Sequence, residues 1–106
     1  MKLPKKFKEN WINALTSGEY QQITCCLCDE FGFCAIGVAC SVAGVPEEKL
    51  MKAPNINKDL IVEYNLPFND STDELVDTII ELNDNECLQF NQIASFIREN
   101  VEAIDD

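Results

Sequence analysis

CCLCDEFGFCAIGVAC, residues 25–40, decides the fold reading, because its two halves follow different patterns. From Gln22 the residues alternate, so that Ile23, Cys25 and Leu27 line one face of an expected strand and Thr24, Cys26 and Cys28 line the other. Asp29-Glu30-Phe31-Gly32 then reads as a tight turn, with Gly32 free to take the positive φ that sends Phe33 back along the first strand. From Cys34 to Ala43 nearly every residue is small and apolar, the composition of a helix without a polar face, and Gly44-Val45-Pro46 stops it. The expected centre of the fold is therefore a β-hairpin leaning on a buried helix over 34–43.

Working outward, Phe7, Trp11 and Leu15 recur at four-residue spacing after Pro4 and before Ser17-Gly18, which predicts a first helix with Trp11 as its core anchor. Pro46-Glu47-Glu48 starts a short helical turn to about Met51, with acids at the positive end of its dipole. Leu60-Ile61-Val62 reads as a short strand among the loop formers Pro54, Asn55, Asn57 and Pro67. Ser71 and Glu74 have the spacing of a capping box before a helix with Leu75, Ile79 and Leu82 on its buried stripe. A last helix carries Phe90, Ile93, Ala94, Ile97, Val101 and Ile104 on one face and forms an antiparallel pair with the one before it. Together these segments predict one α+β domain, residues 1–106, with about four helices and one two-stranded hairpin.

The five cysteines of the opening stretch, with Cys87, raise the question of a metal or a disulfide. Residues two apart on a strand lie roughly 6.5–7 Å apart, at or beyond relaxed disulfide reach for Cys26 and Cys28. Six helical positions turn through roughly 600° and rise about 9 Å, which separates Cys34 from Cys40. A metal would need Cys26, Cys28, Cys34 and Cys87 together, yet no C-x2-C pair marks a zinc or iron–sulfur framework. The simpler reading makes Cys25, Cys34 and Cys40 core thiols and leaves Cys26 and Cys28 on the second hairpin face. No cofactor is expected.

Charge and composition narrow the function. The 106 residues include 19 acids and 8 bases, a formal net of −11, with no histidine. From Asp59 onward thirteen acids face the single cation Arg98, while Lys2, Lys5, Lys6 and Lys8 cluster near the start. Such a surface repels phosphate, so direct nucleic-acid binding is not expected. The lack of histidine removes the usual general base and zinc partner. Paired acids such as Asp73 with Asp77 or Glu99 with Glu102 read as solvated helix faces, and no catalytic residue is assigned. Cys34, at a helix start, is the one thiol whose pKa the helix dipole would lower. No membrane-length apolar run occurs, no secretory leader precedes the first helix, and free thiols suit a cytoplasm.

One pattern goes beyond composition. Trp11-x-x-Ala14-Leu15-x-Ser17-Gly18-x-Tyr20-x-Gln22, then Asp29-x-x-Gly32-Phe33-Cys34-x-x-Gly37-Val38-x-Cys40, then Leu82-Asn83-Asp84 and Phe90-x-x-Ile93-Ala94-x-x-Ile97 resembles a group of small uncharacterised bacteriophage proteins. In that group the residue before Phe90 is often a serine able to cap the helix; here it is Gln89. The resemblance implies a phage gene product in a bacterial cytoplasm and carries no catalytic residues with it. The expected function is an acidic accessory protein that binds a host or phage protein through a flat hydrophobic patch or through its acidic helix pair; an exposed Phe31 or Phe68 would be the mark of a dimer face. The alternative is an acidic DNA mimic that blocks a host nuclease or DNA-binding protein.

Overall fold

Pro4 fixes where the first helix begins: at φ −53° and ψ 136° it ends a three-residue strand, β1 (Lys2–Pro4), and stands at the N-cap of α1 (Lys5–Thr16). The structure, a computed structural model, describes residues 2–104. Along the chain follow β2 (Cys28–Asp29), β3 (Gly32–Phe33), α2 (Ala35–Val42), α3 (Glu47–Leu50), α4 (Lys58–Tyr64), a 3-10 turn at Asp70–Thr72, α5 (Asp73–Asp84), α6 (Phe90–Asn100) and β4 (Glu102–Ile104). Among the described residues the fold is α+β, with six helices rather than about four and two small sheets rather than one hairpin.

α2 is the centre, as its composition requires. Ala35 through Cys40 are all buried, and the helices around it press apolar stripes inward: Trp11, Ile12 and Leu15 from α1, Leu75, Val76 and Ile79 from α5, Phe90, Ile93, Ala94 and Ile97 from α6. These and Leu3 of β1, Leu50 of α3 and Leu60 of α4 form one buried cluster. Phe7, Trp11 and Phe68 stack edge to face or tilted within 5.8–6.3 Å, so Phe68 is a core residue and not the exposed contact expected of it.

The hairpin is shorter and more twisted than the alternation predicts. Residues 24–26 bend away instead of pairing, Cys25 sits at φ +75°, and Leu27 rejoins the hairpin by accepting from the N–H of Cys34. Gln21–Ile23 lies parallel to Phe33, whereas Cys28–Asp29 runs antiparallel to Gly32–Phe33. The cause is non-local: the N–H of Leu27 donates to Ala53, and the carbonyl of Cys28 accepts from Lys52, both from the segment after α3. The turn itself forms as expected, but Asp29 makes it, its carboxylate accepting from the N–H groups of Phe31 and Gly32. Gly32 keeps a negative φ; what it supplies is space, since a Cβ there would lie 2.0 Å from the carbonyl oxygen of Gln21.

Two further expectations change. Leu60-Ile61-Val62 is helical, because Asn57 caps α4 by accepting from the N–H of Leu60 and Asn65 closes it in the left-handed conformation. The last helix stops at Asn100: Val101 turns extended, and Glu102–Ile104 pairs in parallel with Lys2–Pro4 as β4. Val101 remains buried while Ile104 is about half exposed, so the helical period that joined them ends between them. At α5 the helix starts with Thr72 at its N-cap and no side-chain cap bond, and the Ser71 side chain of the expected capping box lies outside the described residues.

Candidate functional site

The residues that made the sequence pattern distinctive tie separate elements of the core together. Trp11 is fully buried and its indole N–H donates to the carbonyl of Ala35 at 3.0 Å, tying α1 to the first turn of α2. Tyr20 packs edge to face on Phe33 at 5.1 Å and its hydroxyl meets Ser41 at 3.1 Å. Gln22 donates to Asn83 Oδ1 at 3.0 Å and to the carbonyl of Leu88 at 2.7 Å, and accepts from the N–H of Phe90 at 3.1 Å. Gln22 thus supplies to the start of α6 part of what a capping serine would, and Gln92 accepts from the backbone of Gln89 beside it.

Asn83 completes the set. Its side chain is 1% exposed; Oδ1 also accepts from the N–H of Ala35 at 3.2 Å, and Nδ2 donates to the carbonyl of Ile23 and to Asp84. One amide therefore joins the segment after α1, the start of α2 and the end of α5. Gly37 allows the closest approach of all: a Cβ there would lie 1.9 Å from the carbonyl oxygen of Leu27, which crosses directly over the helix. This polar and glycine framework positions the surfaces; it presents no reactive group to solvent.

The thiols divide differently from expectation. Cys34 and Cys40 are buried, but so is Cys28, while Cys25 and Cys87 are exposed and Cys26 is half-buried. Positive φ at Cys25 and at Cys87 turns both into surface loops. Burial pushes the Cys34 thiol up to about 11 and the Cys40 thiol up to about 12. Cys28 rises to about 11, through burial first and the nearby Glu47 carboxylate second. The lowered pKa expected for Cys34 is thus reversed: its Sγ caps α2 by accepting from the N–H of Gly37 at 3.3 Å, but desolvation outweighs that bond. A nucleophilic Cys34 is overturned. Among the described residues, no three or more of His, Cys, Asp and Glu are arranged to hold a metal ion, so Cys26, Cys28, Cys34 and Cys87 form no ligand set.

The outer surface carries what remains. Asp73, Glu74, Asp77 and Glu81 stand exposed along α5, as do Glu99 and Glu102 at the other end of the chain. Phe31 at the hairpin tip is 71% exposed and Val62 on α4 is 81% exposed, beside a shallow depression lined by Ile61 and Phe68. Five of the eight cations gather where β1, α1, the end of α6 and β4 meet: Lys2, Lys5, Lys6, Lys8 and Arg98. There Lys8 Nζ donates to the carbonyl of Arg98, ninety positions along the chain, at 3.4 Å. The sequence revealed the lysines but not their neighbour, since only the packing of α1 on α6 brings Arg98 to them. Among the described residues, no helix is long and apolar enough to cross a membrane.

Residues 3–57, from β1 to the cap of α4, match a family model described as a domain of unknown function (DUF8296). No curated protein and no solved structure matches the chain.

Proposed function

The chain belongs to the DUF8296 family, and on that premise we propose that it is a small acidic interaction module of phage type, which binds a host or phage protein in the bacterial cytoplasm. The observation that carries this reading is charge segregation on a small braced body. Five of the eight cations gather at one end, with Glu9, Glu99 and Glu102 among them, while the exposed row along α5 is wholly acidic. Segregated charge of this kind orients a partner and raises its encounter rate more than it serves folding, because exposed pairs add little stability. Phe31 and Val62 add exposed apolar contacts of the type found at the centre of interfaces. The buried thiols, held protonated at neutral pH, argue against cysteine chemistry at Cys28, Cys34 and Cys40.

The second reading, a DNA mimic, is favoured by the row Asp73, Asp77 and Glu81 on α5. Four-residue helical spacing sets one carboxylate per ~6 Å of axis, whereas a DNA strand carries one phosphate per roughly 3.4 Å. The row is about half as dense as the polyanion it would imitate, which ranks mimicry second.

Affinity purification of the tagged protein from bacterial lysate at low and high salt, with mass spectrometry of the retained proteins, tests both. A stoichiometric protein partner supports the module. Retention of a nuclease or DNA-binding protein that is lost steeply at high salt supports the mimic. An empty eluate in both buffers contradicts both.

A further inference from the structure

Resting on the reading of the chain as an interaction module, we propose that the groove between α1, the end of α6 and β4 is the docking site for an extended acidic segment of the partner protein. The groove has a volume of about 380 Å³ and is lined by Lys5, Lys8, Ile12, Asn13, Arg98 and Ala103. It is the cationic place on a molecule whose net charge is −11.

Three features define what fits. The first is uncompensated charge. Among the described residues, ion pairs form at Lys2–Glu102 and Lys49–Glu63, and no carboxylate lies at ion-pair distance from Lys5, Lys8 or Arg98. The lysines also stand in the first turn of a twelve-residue helix that has no acid in that turn and no side-chain cap, so they face the positive end of its dipole. Cations in that position repel the helix end and each other; a carboxylate arriving in the groove meets the lysines and the helix terminus together and relieves both. Lys8 is already directed across the groove by its bond to the carbonyl of Arg98.

The second feature is the floor. Ile12 is buried apart from 8% of its surface, and Ala103 lies beside it in the groove. Apolar contacts of this kind reward a chain in which small apolar side chains alternate with acids, and offer nothing to a bare phosphate. Glu9 on the groove wall leaves three cations against one anion, enough for one or two carboxylates but opposed, with the charge of the whole chain, to a polyanion.

The third is backbone. β4 is hydrogen-bonded to β1 on one side and has no strand on its other side among the described residues, and Ala103 is its middle residue. An extended segment can lie along that edge, using main-chain bonds for affinity and its alternate side chains for the cations and the floor.

The test is selection of octapeptides from a random display library on the full chain, followed by fluorescence anisotropy of the selected peptides on wild type and on the double variant Lys5→Glu/Arg98→Glu. A thymidine oligonucleotide and inorganic phosphate serve as competing probes. The expected peptides interleave Asp or Glu with small apolar residues, bind at least about tenfold more weakly to the double variant, and weaken with added salt. Lys5→Glu places an acid at the positive end of α1, while Arg98→Glu replaces the cation in the last turn of α6, so the two dipole effects oppose each other; binding is compared at a temperature where circular dichroism shows both proteins folded, and lost binding is then not lost folding. Peptides without acidic enrichment, or equal binding to the double variant, overturn the groove while leaving the interaction module standing. Oligonucleotide or phosphate binding that the double variant abolishes, without peptide binding, overturns it in favour of a phosphate site. No binding of any probe to wild type overturns it as well, and the module reading falls with it only if affinity purification also retains nothing.

Discussion

The side-chain amide of Gln22 donates to Asn83 Oδ1 across 3.0 Å, joining residues 61 positions apart in the chain. Through this bond, the loop after α1, the first N–H of α2 and the start of α6 are fixed to the end of α5. A pair of this kind, with Asn83 buried and Gln22 half-buried, holds only when its members are satisfied, and every buried side-chain nitrogen and oxygen described here has a partner.

Asn83→Ala removes the acceptor of Ala35 N–H and the donor to Ile23, and leaves Gln22 without its side-chain partner. Stranded buried groups cost about 1–3 kcal/mol each when unsatisfied, so a loss of roughly 3 kcal/mol is expected. That corresponds to a melting temperature lower by roughly 10–20 °C for a domain of this size. Urea denaturation followed by the Trp11 fluorescence measures it; a loss below about 0.5 kcal/mol would show that the network does not brace the fold.

Gly37→Ala and Gly18→Ala separate steric from torsional cost. Alanine gains about 1 kcal/mol of helix propensity over glycine, but at Gly37 its Cβ would meet the Leu27 carbonyl at 1.9 Å. Overpacking against backbone should outweigh propensity by ~3 kcal/mol or more. Gly18 has open space and φ +81°, so only the left-handed penalty applies, about 1–2 kcal/mol. Thermal melts in which Gly37→Ala proved the milder change would refute the crossing of Leu27 over α2.

Thiol labelling with a chromogenic disulfide at pH 8 should show two fast sites, Cys25 and Cys87, an intermediate one at Cys26, and three that react only on unfolding, Cys28, Cys34 and Cys40. Rapid labelling of Cys34 in the folded protein would restore the nucleophile reading.

The same burial predicts an alkaline instability. Cys28, Cys34 and Cys40 titrate near 11, 11 and 12 in the folded chain against an ordinary 9.0. Between these values the unfolded chain has released protons that the folded chain keeps, so stability is full below about pH 9 and falls as pH rises toward 11. The slope is up to about 1.4 kcal/mol per pH unit for each thiol. Cys40→Ala should make the decline shallower by one thiol's share. A slope unchanged by this substitution in pH-resolved denaturation would contradict its buried position.

The helices were legible where a local pattern was sufficient. α1, α5 and the first three turns of α6 follow from apolar spacing, and α2 from a run with no polar face. The failures share a cause in distant partners. The alternation at Ile23, Cys25 and Leu27 is broken because Leu27 and Cys28 bond to Ala53 and Lys52 beyond α3. Val101 and Ile104 continue a helical period, but β1, a hundred residues earlier, offers the backbone of Glu102–Ile104 a parallel partner. Leu60-Ile61-Val62, with β-branched Ile61 and Val62, reads as a strand, while the decisive signals were the flanking Asn57 and Asn65, which close a helix at both ends. The cationic groove was illegible for the same reason: Arg98 joins Lys5 and Lys8 only through the packing of α1 on α6.

The most direct measurement of whether this protein acts by binding another is light scattering of the affinity-purified material from bacterial lysate, at moderate salt. The expected result is a species heavier than the 12.0 kDa chain, with a second polypeptide in whole-number ratio to it. The 12.0 kDa chain alone, or multiples of it with nothing else bound, would contradict the interaction module.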